Sequence, residues 1–153
     1  MPGWGSDFVL KGFLDSRTEI CTQLPHLGDP AQYYPEPEDA LVLALSSPEQ
    51  KKDWAEIFED RGAAFFSVVH PANSLSSEAS WGKGVIFAPF NSVSRNARLG
   101  NFVTLYGFCK IGHDLQIGNY CHFASHSSVD GFSSISDGIS FPAFTAIEKN
   151  TSL

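Results

Sequence analysis

Little in this sequence suits disulfide, metal, membrane or nucleic-acid chemistry. It has three cysteines, one methionine and ten basic residues among 153. Cys21, Cys109 and Cys121 are odd in number and scattered, without C-x-x-C spacing, so they read as reduced thiols. The longest apolar runs, such as 40–45, fall far short of the ~20 residues that cross a bilayer. The start, MPGWGSDF, has no basic segment leading into an apolar one, so no signal peptide is expected. A net charge of −7 excludes the basic surface that nucleic acid or an anionic membrane demands. A cytoplasmic protein is therefore expected, and the triplet Asn150-Thr151-Ser152 carries no glycan in that setting.

What is present is enough to fold without staples. The chain is 42% apolar and 18% charged, the composition of an ordinary globular protein. Its length allows one good-sized domain or two small ones. The pattern divides it into residues 1–69 and 70–153.

The first part reads as a small α/β domain. Phe8 to Leu14 and Leu41 to Leu45 have strand length. Ser47 then offers an N-cap, Pro48 the first helical position and Gln50 the third. Trp54, Ile57, Phe58 and Arg61 follow at helical spacing, and Gly62 is a good stop. Ala64 to Val69 reads as a third strand running into His70-Pro71. Strand, helix and strand with short connections predict one βαβ unit in a small parallel sheet.

From Leu75 every sixth residue is apolar: Leu75, Trp81, Phe87, Val93, Leu99, Leu105, Ile111, Ile117, Phe123, Val129, Ile135, Phe141 and Ile147. Two residues before most of these stands a small one, with Asn91 and Leu115 as exceptions. This is a β-solenoid period. Six residues make a short strand and a turn, and three units close a triangular coil of eighteen, giving about four coils. Residues eighteen apart then stack roughly 4.8 Å apart. An antiparallel sandwich would instead show period two and irregular turns.

Several segments together resemble a known family. They are GFLDS (Gly12 to Ser16), Leu27-Gly28, the strand and helix to Gly62, His70-Pro71, the hexapeptide run, and above all IGHDLQIGNYCHF (Ile111 to Phe123). These resemble the sugar O- and N-acetyltransferases of the sialic-acid O-acetyltransferase type, which include bacillosamine and perosamine N-acetyltransferases. The resemblance spans roughly residues 8 to 150. It implies a left-handed parallel β-helix, a homotrimer with active sites between neighbouring prisms, acetyl-CoA as co-substrate, and a sugar or nucleotide-sugar acceptor. It assigns His113 as general base, Asp114 as the acid that orients it, His122 to the acceptor, and the Gly131 N–H to the acetyl pocket. Tyr106 replaces an asparagine at the acceptor, and Phe108 replaces a small residue beside the pantetheine channel of the cofactor. Gly112 replaces the aspartate before the base. The family also has a Gly-rich strand and turn before Phe8 and further coils after Gly131, so the chain reads as truncated at both ends.

The spacings have their own physical sense. His113 and Gly131 are eighteen apart, so Gly131 lies on the coil above His113, where a thioester can approach the backbone N–H. His113 and His122 are nine apart, half a coil, and can share a pocket only across two subunits. A histidine-based metal site has no support in spacings of nine and four between His113, His122 and His126, and no metal is expected. A degenerate trimeric β-helix that binds a ligand or serves as a scaffold, without catalysis, is the other reading.

Overall fold

The computed structural model describes residues 8–19 and 23–153. Most of the MPGWGSDF start, and Cys21, lie outside the described residues.

The hexad period produces the solenoid. Two-residue strands stack in parallel on three faces. The first face holds Val68–Val69, Ile86–Phe87, Thr104–Leu105, His122–Phe123 and Ser140–Phe141. The second holds Ser74–Leu75, Ser92–Val93, Lys110–Ile111, Ser128–Val129 and Ala146–Ile147. The third holds Ser80–Trp81, Arg98–Leu99, Gln116–Ile117 and Ser134–Ile135. Every register joins residues eighteen apart, as in Ile111 between Val93 and Val129. The second residue of each strand points inward. Phe87, Leu105, Ile111, Phe123 and Val129 are wholly buried, and each such side chain contributes about 1.5–3 kcal/mol. The coils form a left-handed β-helix of about four turns.

Asn91, an exception to the small-residue rule, is buried because it replaces a missing backbone partner. Its Oδ1 accepts from the Cys109 N–H at 2.7 Å, and its Nδ2 donates to the Ala88 carbonyl at 2.6 Å. Another feature is absent from the apolar period altogether. Three residues after each inward side chain, from Gly84 to Asn150, the backbone is left-handed. Glycine fills that position at Gly84 and Gly138 only. Phe90, Phe108 and Phe132 hold it at φ 68°, 64° and 59°, a conformation that costs a non-glycine residue about 1–3 kcal/mol. Stacking offsets this. The rings of Phe90, Phe108, His126 and Phe144 lie 5.1, 5.0 and 4.9 Å apart along one corner.

The βαβ unit forms with shorter strands than the sequence suggests. We label them β1 (Ala40–Leu41), α1 (Pro48–Asp60) and β2 (Ala64–Phe65). β1 and β2 pair in parallel. Ser47 caps α1 by accepting the Gln50 N–H at 3.3 Å, and Gly62 ends it at φ 76°. Three expectations are corrected. Phe8 to Leu14 is not a strand. Only Phe13 pairs, with His26, and Phe8, Val9 and Leu10 stay exposed, the Phe8 ring resting on Phe66 without a ladder bond. Ala64 to Val69 is not one strand, because Val68–Val69 leaves β2 to start the first face of the solenoid. The helix is also rotated from the expected face. It buries Lys51, Ala55 and Phe58, while Ile57 is exposed. These three lie at i, i+4 and i+7, one stripe of a helix, which lies against the outside of the solenoid at Phe102. Arg61 turns away and donates to the carbonyls of Pro30, Ala31 and Tyr33.

Candidate active site

His113 and Asp114 follow the inward Ile111 at the corner between the second and third faces. The left-handed φ of Asp114, 54°, turns its carboxylate back toward the ring that precedes it. His113 Nδ1 lies 2.8 Å from Asp114 Oδ2. Asn96, eighteen residues earlier, donates its Nδ2 to Asp114 Oδ1 at 2.8 Å. The Asn96 amide, the His113 ring and the more distant Arg95 guanidinium hold the Asp114 carboxyl below its usual range. The result is a chain of amide, carboxylate and imidazole in which the second ring nitrogen, Nε2, has no partner among the described residues. The ring is also braced edge-on against Phe132 at 5.1 Å.

Gly131 closes this corner from above. A Cβ there would meet the His113 carbonyl at 2.8 Å and the ring atoms Cε1 and Nε2 at 3.1 Å. Only glycine leaves the ring its place. The Gly131 N–H has no acceptor among the described residues. His113 Nε2 lies 3.1 Å from where a Gly131 Cβ would stand, so an imidazole nitrogen and a glycine with an unengaged N–H are neighbours, a pairing that suits proton removal beside a polarised carbonyl. On the third face, Asn96, Arg98, Asp114, Leu115 and Gln116 line a cleft of about 390 Å³ next to the carboxylate.

The other three candidate residues stand elsewhere on the prism. His122 and Tyr106 belong to the first face, their rings 4.8 Å apart and edge-on. Phe108 stands on the aromatic corner between the first and second faces, stacked on Phe90 and His126 and 54% exposed. Within one chain the six candidates thus form two groups that face apart. His113, Asp114 and Gly131 are at one corner. Tyr106, His122 and Phe108 are on the first face and its edge.

Sequence reasoning missed Lys51. It is 1% exposed, and its ammonium donates to the Phe102 carbonyl at 3.1 Å and to Thr104 Oγ1 at 2.8 Å. Burial pulls its pKa down to about 8. Its position four before Ala55 and seven before Phe58 is the signal that could have found it. Thr104 is the ladder partner of His122 on the adjacent strand. His26 and His70 serve their local turns, through the Asp15 carbonyl and the Ala72 N–H. Among the described residues no three His, Cys, Asp or Glu side chains converge on a metal-sized site.

No family model matches the sequence, and no curated protein matches it. Solved structures do. WeeI from Acinetobacter baumannii superposes with a TM-score of 0.82 at 20% identity, over 90% of this chain and 66% of that one. A single-site mutant of perosamine N-acetyltransferase from Caulobacter crescentus, in complex with CoA and GDP-perosamine, gives 0.68 at 16% identity, over 84% of this chain and 71% of that one. The acetyltransferase domain of PglB from Neisseria gonorrhoeae, in complex with acetyl coenzyme A, gives 0.56 at 17% identity, over 88% and 81%. The chain thus spans just under two thirds of the length of WeeI. What these proteins share with it at such identities is the architecture: a left-handed hexapeptide β-helix with an α/β segment laid against its side.

Proposed function

We propose that the protein is an acetyl-CoA-dependent acetyltransferase that modifies an amine or hydroxyl of a sugar or nucleotide sugar. The observation that carries this reading is the His113–Asp114–Asn96 chain seated under Gly131, whose N–H has no acceptor among the described residues. Similarity to folds whose solved complexes contain CoA, acetyl-CoA and GDP-perosamine supports the substrate class.

His113 Nε2 would take the proton of the acceptor group as its nitrogen or oxygen attacks the thioester carbonyl. Asp114, bonded to Nδ1, keeps Nε2 bare before the reaction and stabilises the imidazolium after it. The Gly131 N–H would bond the carbonyl oxygen as it gains negative charge. Collapse of the tetrahedral intermediate breaks the C–S bond. The CoA thiolate leaves and takes the proton back from His113.

The two groups of candidate residues fit one pocket only if a neighbouring copy supplies one of them. A homotrimer with parallel prisms brings the first face of one subunit to the His113 corner of the next. His122 and Tyr106 would then meet the acceptor and Phe108 the cofactor. Acetyl-CoA is a cytoplasmic metabolite, and a cytoplasmic site of action follows from its use.

Calorimetric titration with acetyl-CoA, followed by mass spectrometry of a panel of amino sugars and nucleotide sugars, tests the reading. Binding and a mass gain of one acetyl group are expected. No heat at millimolar acetyl-CoA would favour the non-catalytic scaffold.

A further inference from the structure

The first face holds a group of buried polar side chains that no hydrophobic core requires. Lys51, Thr104 and His122 are 1%, 3% and 5% exposed. They lie together because α1 packs its Lys51–Ala55–Phe58 stripe on the solenoid just where Thr104 and His122 are ladder partners. Burying a cation without a carboxylate is costly. Here two neutral oxygens, the Phe102 carbonyl and the Thr104 hydroxyl, are all that receive it.

His122 has an unusual ring. Its Nδ1 is the one buried side-chain nitrogen or oxygen without a partner among the described residues. The Nε2 side is therefore the one that reaches the surface. A buried N–H without an acceptor is rarer, and costs more, than a buried lone pair without a donor. The proton of a neutral His122 thus belongs on Nε2. The groups around the ring are Lys51 from α1, Thr104 and Tyr106 from the neighbouring strand and its turn, and Ser140 from the strand above, while the Cys121 thiol before it turns to the Ser136 carbonyl. Lys51 is the charged group among them, and none is a carboxylate.

We propose that Lys51, held by the Thr104 hydroxyl on the strand next to His122, is a positioning residue that keeps His122 a neutral ring, its proton on the outward Nε2. His122 then acts as a hydrogen-bond donor and not as a second base. Burial, and then the Lys51 charge, lower the pKa of His122 and act in the same sense. This deepens the acetyltransferase reading and rests on it only for the use made of the donor. The α/β segment would set the chemistry of a solenoid residue, and the two histidines of one coil would divide the work of base and donor.

The test is NMR of the full chain with 15N-labelled histidine, with His122 assigned by the signals lost in His122→Asn. In the wild type the long-range imidazole correlations should show the Nε2–H tautomer. In Lys51→Met, which keeps the stem and removes the charge, the protonated fraction of His122 at pH 6 should rise about threefold or more. Lys51→Arg should restore the wild-type titration. Thr104→Val, which removes the hydroxyl that holds the ammonium and keeps the charge, should move it in the same direction by less, and stands in if Lys51→Met does not fold. An Nδ1–H tautomer in the wild type, or unchanged titration in the variants, would overturn the proposal. These readouts need no substrate, so a failed search for an acceptor would count against the acetyltransferase reading and leave this one standing.

Discussion

His113 and His122 lie on the same coil, nine residues apart, in opposite surroundings. His113 stands at a corner, its side chain 42% exposed, bonded to a carboxylate and roofed by a glycine. His122 stands on a flat face, 5% exposed, beside a buried ammonium and with one nitrogen unpartnered. The backbone unit is the same in both places. What differs is what lies outside it. The corner is open to solvent and gathers charge, whereas on the first face α1 covers Thr104 and brings the Lys51 ammonium in beside it. A repeat with uniform inner columns can therefore carry unlike chemistry on its outer surface, set by the residues around each turn.

The largest expected effect separates the two histidines directly. His113→Ala should lower the turnover of acetyl transfer by about 10²–10⁴, the span of a lost general base, with acetyl-CoA binding retained in calorimetry. An equal loss of binding and turnover would erase the distinction between the corner and the face.

Next in size is the core that both share. Ile111→Ala, at a wholly buried position two residues before His113, should cost about 2–5 kcal/mol in urea unfolding. Leu43→Ala, in the smaller cluster around α1, should cost less, because Leu43 is 8% exposed and its neighbourhood is partly open. A larger loss at Leu43 would mean that the helix, and not the solenoid, governs stability.

A smaller effect sharpens the geometry of the corner. Gly131→Ala places a Cβ 2.8 Å from the His113 carbonyl and must displace that residue. Turnover should fall by about 10–10², since sub-ångström to ångström shifts of a catalytic group carry such penalties. Unchanged rates would show that the ring does not need the space above it.

The smallest effect concerns the α/β segment. The Lys11 ammonium, the Glu36 N–H and the Tyr33 hydroxyl hold the Asp39 carboxyl down to about 2. Its folded value lies below its unfolded one, so its contribution is present above pH ~4 and lost as pH falls toward about 2. The difference in urea midpoint between wild type and Asp39→Asn should shrink over that window, with the solenoid still folded by circular dichroism.

Much of this was legible in the sequence, for physical reasons that differ by region. The inward columns were legible because burial imposes one strict period, and each apolar residue from Leu75 to Ile147 kept it. Gly131 above His113 followed from the same arithmetic. The left-handed positions were not legible. The period of six places them three residues past each inward side chain, but Phe90, Phe108 and Phe132 are residues that no turn preference would put there. Strand lengths in the α/β segment were overread, because Phe8 to Leu10 are apolar yet pair with no strand. Lys51 was hidden by its charge. A lysine on a helix reads as solvated, and only the packing of α1 on Thr104 reveals it as buried.

The central claim is that His113 of one subunit and His122 of the next form a single site. It is tested most directly by mixing His113→Ala and His122→Ala subunits, each expected to be strongly impaired alone, through denaturation and joint refolding. Random exchange at equal amounts should restore about a quarter of wild-type activity, the share of sites that receive both intact residues. No recovery in mixed oligomers, with exchange confirmed by native mass spectrometry, would contradict the account.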